Sequence, residues 1–146
     1  DVESRGLGDG YKRQEMQLTY QVDGEPLERL PDGYSDHYVL DGFEMDDAQK
    51  FERAENFLHV YSSKETEESY TVRCSIIQPG QQSLFDNEHT VYETVKVGEA
   101  DGVLGTSTDE HGKNVYTLSW EHRGITHTVM GNIPYDEIMK IAKGIR

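Results

Sequence analysis

The closing stretch of the chain, VYTLSWEHRGITHTVMGNIPYDEIMKIAKGI at residues 115–145, constrains the fold more than any other. Tyr116, Leu118 and Trp120 alternate with Val115, Thr117 and Ser119. After a short turn Ile125, His127 and Val129 alternate with Thr126, Thr128 and Met130, which is the period of half-buried strands. The period then changes. Ile138, Ile141, Ala142 and Ile145 fall at i, i+3, i+4 and i+7 and make one apolar stripe along a helix. Pro134 suits the first turn, Asp136 and Glu137 lie near the positive end of the dipole, and Lys140, Lys143 and Arg146 lie near the negative end. A striped helix needs an apolar surface, and the hairpin before it supplies one, with Trp120 in the core-facing row.

Upstream, the chain reads as further strands of that sheet. Residues 1–15 form a charged, Gly-rich lead-in or appended remnant, and residues 16–146 form a single domain. Met16, Leu18, Tyr20 and Val22 alternate as a strand that ends at Asp23-Gly24, and His37 to Leu40 is a short strand candidate. Residues 41–55 fit either a short helix or a strand with an irregular connection, and the poor helical stripe favours the strand. Phe57, His59 and Tyr61 share one face of FLHVY. Tyr70 to Ile77 follows a polar turn to complete a hairpin, and Gln78-Pro79-Gly80 ends it. Val91 to Val97 and Val103 to Ser107 complete a meander. The fold class is therefore α+β: a curved antiparallel sheet with a C-terminal helix packed on one face.

The formal net charge is -14, from 28 acidic against 14 basic residues. Such a surface repels phosphate and anionic headgroups, so nucleic acid is not an expected partner. Solubility is the plain reading of the charge; a cationic partner, divalent cations or DNA mimicry are the sharper ones. Nine Tyr residues in a chain that is 10% aromatic argue for a folded β protein rather than an acidic disordered one. The single cysteine, Cys74, excludes an intrachain disulfide and shares the parity of Tyr70, Val72 and Ile76, as a small core residue does. No run approaches the roughly 18 apolar residues of a membrane span. The chain opens at Asp1 with no signal-like start, which reads as a trimmed or processed piece.

Four pieces stand in a set order: LPDGY at 30–34, IIQPGQQ followed by DNE at 76–88, a strand ending in Trp120, and GNIPYDEIMKIAKGI at 131–145. Over about residues 30–146 they resemble a domain of unknown function from Gram-positive bacteria. That family commonly forms the C-terminal, extracytoplasmic part of membrane-anchored proteins, including anti-sigma-factor-like proteins and predicted lipoproteins. The resemblance implies a domain outside the membrane, tethered by an anchor elsewhere in the full-length protein, with a sheet that can take the form of a lipoprotein-carrier-like half-barrel. It brings no catalytic residues. One departure is Pro134, where the family usually has a capping Ser or Thr.

No residue pattern points to chemistry. His122 and His127 are five apart across a turn and lack the i, i+4 spacing of a helical zinc pair, and TDEHGKN lacks the spaced ligands of a calcium loop. There is no nucleophile elbow and no phosphate-cradling loop, so neither a catalytic residue, a metal site nor a cofactor is expected. A hydrolytic enzyme would need a histidine and a carboxylate, or Cys74, to converge in one cleft. The aromatics Tyr34, Tyr38, Phe43 and Phe51 flank the least regular region and are the candidate binding residues, with core packing as their alternative use. The expected function is a non-enzymatic sensing or protein-interaction domain, whose partner is a protein or a cell-envelope component met on the sheet face that the helix leaves open. The alternative is a carrier holding a lipid or other apolar ligand between sheet and helix.

Overall fold

The computed structural model describes residues 26–78 and 89–146 in full, and the backbone alone of Val2–Ser4, Glu15–Thr19 and Gln82–Asp86. Among the described residues the order is β1 (Val2–Ser4), β2 (Glu15–Thr19), β3 (Phe43–Met45), β4 (Phe51–Glu52), β5 (Asn56–Ser63), β6 (Ser69–Ile76), β7 (Gln82–Asp86), β8 (Val91–Val97), β9 (Ala100–Thr108), β10 (Asn114–His122), β11 (Ile125–Gly131) and α1 (Tyr135–Lys143). Strands β1, β2 and β7 form a three-stranded sheet. The others form an open, curved eight-stranded sheet in the order β3-β5-β6-β11-β10-β9-β8, with β4 also paired to β5. With the single helix, this is the expected α+β class. Strand β1 lies within the expected lead-in. The turn at Asp23-Gly24 and the strand end at Pro79-Gly80 lie outside the described residues.

From β8 to β11 the sheet is a meander, and β5 and β6 make a separate hairpin. The two are joined where β11 runs beside β6, with Val129 opposite Val72 and His127 opposite Cys74. The β10–β11 turn is Arg123-Gly124, both at positive φ (52° and 81°), the two-residue form whose twist matches the flanking strands. On the far side of β11, Gly131 is obligatory because a Cβ there would come within 2.5 Å of the Ser69 carbonyl oxygen. This close approach brings the Asn132 Oδ1 to the Ser69 N–H, which donates to it at 2.9 Å.

Alternation carries Phe57, His59, Tyr61, Tyr70, Val72, Cys74, Leu118, Trp120, His127 and Val129 onto one buried face. The helix lies on it through Ile138, Ile141 and Ala142, and Val72, Leu118, Val129, Ile138 and Ile141 are all closed to solvent. Burying such side chains contributes about 1.5–3 kcal/mol each, so this layer is the main source of stability.

Three expectations need correction. The helix ends at Lys143, so Ile145 leaves the stripe and bridges instead to Asp36. The cause is the 35–37 segment, which pairs with the chain end: the Ser35 N–H donates to the Arg146 carbonyl (3.1 Å), Arg146 N–H to Ser35 (3.0 Å) and His37 N–H to Gly144 (2.9 Å). His37 to Leu40 is accordingly not a sheet strand, and the Leu40 N–H donates to the Tyr70 hydroxyl (3.2 Å). Pro134 is the N-cap rather than a first-turn residue; with no side-chain cap, its carbonyl accepts from Glu137 N–H (3.0 Å) and Ile138 N–H (3.1 Å). In residues 41–55 the strand reading holds, because β3 and β4 both pair with β5. Among the described residues no helix is long and apolar enough to cross a membrane.

Candidate functional site

At one edge of the sheet the segment 29–35 lies beside β4 and the start of β5. Between them is an open cleft of about 250 Å³, whose walls include Arg29, Asp32, Tyr34, Glu52, Arg53 and His59. Period-two alternation places His59 on the inner face between Phe57 and Tyr61. The antiparallel register puts Glu52 opposite Phe57, on that same face. The bridge between Asp36 and Ile145 turns Asp36 inward to meet them.

The three groups form a line. His59 Nδ1 donates to Asp36 Oδ1 at 2.7 Å, and His59 Nε2 donates to Glu52 Oε2 at 2.8 Å. Tyr61 donates its hydroxyl to Asp36 Oδ2 at 2.7 Å, and Ser35 Oγ donates to Oδ1 at 3.1 Å. The Asp36 and His59 side chains are 1% and 4% exposed, whereas that of Glu52 is 60% exposed. Burial opposes charge on both inner groups. For His59 the hydrogen bonds to Asp36 and then Glu52, with the charges behind them, outweigh it and raise the ring's pKa above its ordinary 6.5. For Asp36 the bonds from His59 and Tyr61 likewise outweigh burial and hold the carboxyl below its usual range. A ring with a carboxylate on each nitrogen is an imidazolium.

A second histidine lies one register row away. His127 is 2% exposed and its ring stacks on Trp120, with centroids 4.6 Å apart and planes at 6°. Its Nδ1 donates to the Trp120 carbonyl at 3.4 Å, so Nε2 accepts, from the Tyr34 hydroxyl at 2.5 Å. Burial lowers its pKa to about 4 and leaves it neutral. Burial also pushes the Tyr34 hydroxyl up, which keeps it a donor.

Of the four aromatics singled out in the sequence, Tyr34 lines the cleft. Tyr38 donates to Glu137 Oε2 on the helix at 2.9 Å, and Phe43 leans on the Tyr70 ring at 5.4 Å between centroids. Phe51 pairs with Leu58 and so faces away from His59, with the Arg53 guanidinium 4.6 Å above its ring. The four do not form one groove. The site's own residues, Asp36, Glu52 and His59, were not among the candidates. The available signal was a histidine on the same parity as Phe57 and Tyr61, inside a core row.

A histidine and two carboxylates do converge in this cleft, which was the condition set for hydrolytic chemistry. Both ring nitrogens are committed to carboxylates, however, and the nearby hydroxyls of Ser35 and Tyr61 both donate to Asp36. Cys74 is fully buried and burial pushes its thiol well up, away from the nucleophilic thiolate. Among the described residues no group of three or more His, Cys, Asp or Glu is arranged to hold a metal ion.

Residues 33–145 match the model of a family described as a domain of unknown function, DUF4367, and the chain belongs to that family. No curated protein and no solved structure matches it.

Proposed function

We propose that this DUF4367 domain is a non-enzymatic sensing or protein-interaction module, and that it meets its partner at the cleft between residues 29–35 and β4–β5. The observation that carries the reading is the make-up of the cleft. Arg29, Asp32, Glu52 and Arg53 stand exposed around an apolar floor that includes Leu30 and Phe57, the mixture of charged rim and apolar centre found in interaction sites. The commitment of both His59 nitrogens to carboxylates, and of the Ser35 and Tyr61 hydroxyls to Asp36, supports a structural rather than a catalytic role for that ring. The interaction reading is favoured over an apolar-ligand carrier by the direct contact of helix and sheet, where Leu118, Val129, Ile138 and Ile141 fill the space a ligand would need.

We place the module outside the membrane of a Gram-positive cell, held by an anchor elsewhere in its full-length protein and linked to an anti-sigma-factor or lipoprotein context. That placement rests on the family resemblance. One experiment tests both parts: a photo-crosslinking residue at position 53 or at position 113 of the full-length protein, in protoplasts, with protease added outside. Crosslinked adducts at 53 and not at 113, lost when protease is added outside, are expected. Equal labelling at the two positions overturns the cleft as the contact site, and survival of the adducts overturns the placement.

A further inference from the structure

We propose that His59 is a proton-operated latch. Protonated on both nitrogens it ties Glu52 of β4 to Asp36 of the 35–37 segment and holds the rim of the cleft in place; on losing one proton it lets Glu52 and β4 go. The inference concerns the conformation of the cleft and stands whether or not a partner binds there.

Two carboxylates each take a hydrogen bond from the ring, at 2.7 and 2.8 Å, and a neutral imidazole has a single N–H to give. One of the contacts must therefore fail on deprotonation, and burial decides which. The Asp36 carboxylate is 1% exposed, so losing its partner there would leave a charge with no water to replace it. The Glu52 carboxylate is 60% exposed, and water takes the place of the ring at little cost. The remaining proton stays on Nδ1, and the bare Nε2 then faces Glu52 with a lone pair against a negative charge. The contact becomes repulsive.

What Glu52 holds is slight. Strand β4 has two residues, paired only with Leu58 and Phe57 of β5. Next to it the Arg53 N–H donates to the Asn56 carbonyl at 2.8 Å, and the Leu30 N–H donates to the Ala54 carbonyl at 2.8 Å. That last bond joins the β4–β5 turn to the opposite wall of the cleft, so release of β4 reaches both sides.

The other ionisable groups around the ring do not set its charge. Arg29 is 3.8 Å from Asp32, and Arg53 lies over Phe51. Tyr34 is engaged with His127, and Tyr61 with Asp36. From β6, Tyr70 is pushed up to about 12 by burial and Cys74 is likewise pushed up, so both stay neutral; His127 on β11, lowered to about 4 by burial, stays neutral as well. Burial of His59 disfavours its charge, but the bonds to Asp36 and Glu52 prevail, so the ring keeps its second proton past the ordinary 6.5. The latch is closed in mild acid and opens as pH rises through the ring's raised value.

The test is NMR of the imidazole nitrogens together with amide hydrogen exchange on the whole chain, between about pH 6 and 9. At the acid end both His59 nitrogens should carry protons, and on titration only Nδ1 should keep one. In step with it, the protection factors of the Leu30 and Arg53 amides should fall about tenfold or more, while those of Val72 and Val129 change less than about twofold. In Glu52→Gln the side-chain amide can accept from the protonated ring or donate to the bare nitrogen, so the change at Leu30 and Arg53 should shrink below about twofold. A neutral His59 at pH 6, titration with constant protection at Leu30 and Arg53, or an unchanged step in Glu52→Gln would each overturn the latch.

Discussion

His59 and His127 lie two strands apart on the same buried face and one register row out of step, yet their surroundings ask opposite things of the ring. His59 stands where the sheet edge meets the 35–37 segment, with a carboxylate on each nitrogen. His127 is enclosed by the Trp120 ring and offered one hydroxyl and one carbonyl. Both rings are almost closed to solvent, and burial opposes the charge on each. The acceptors within reach decide whether burial prevails: two carboxylates outweigh it and hold a second proton on His59, whereas His127 has no anionic partner and burial keeps it neutral. The same residue type is thus an ionic connector at the sheet edge and an aromatic spacer in the core.

The comparison can be broken most forcefully at Asp36. Asp36→Ala leaves the buried His59 charge without its inner counter-ion and Tyr61 without its acceptor, and should cost about 3–5 kcal/mol in urea unfolding near pH 6. A loss below about 1 kcal/mol would show that His59 does not need this carboxylate. The next effect is on the acid arm of the stability curve. The fall of the His127 value from 6.5 to about 4 means that the unfolded chain takes up this proton first, so stability drains away as pH falls between those values, by up to roughly 3 kcal/mol. His127→Phe should remove that part of the slope. His59 contributes with the opposite sign: its value is raised, so its stabilisation is full below 6.5 and is lost as pH rises through the folded value. Denaturant midpoints collected across pH for both chains separate the two arms. The smallest effect belongs to Tyr34→Phe, which should cost about 1 kcal/mol through the lost bond to His127 and leave the His59 titration where it was. A shift of His59 in that variant would show that the two rings are coupled.

Local pattern made much of the fold legible. The change from period two to period 3.6 after Met130 marks the closing hairpin and helix, and FLHVY already places His59 with Phe57 and Tyr61. What local pattern does not contain is the meeting of distant segments. Asp36 reaches His59 because the chain end pairs with residues 35–37, a contact more than a hundred residues long in sequence, and that same pairing pulls Ile145 out of the helical stripe. The β6–β11 junction has the same character, since nothing in either strand alone sets Cys74 opposite His127. The aromatics Tyr38, Phe43 and Phe51 looked like a groove because they are close in sequence, but alternation and the β3 and β4 turns send them to different places.

The pairing of Ser35 with Arg146 has a mechanical side. The two segments are antiparallel, and the chain before Ser35 and the carbonyl end at Arg146 leave the pair in the same direction. A pull applied through those two points would load the pair as a zipper, one bond after another, whereas shear would load all of its bonds together. Ser35–Arg146 would part first and the Asp36 bridge next, before tension reached the eight-stranded sheet. The segment that carries the counter-ion of His59 is thus also the one that a pull between Ser35 and Arg146 would open first.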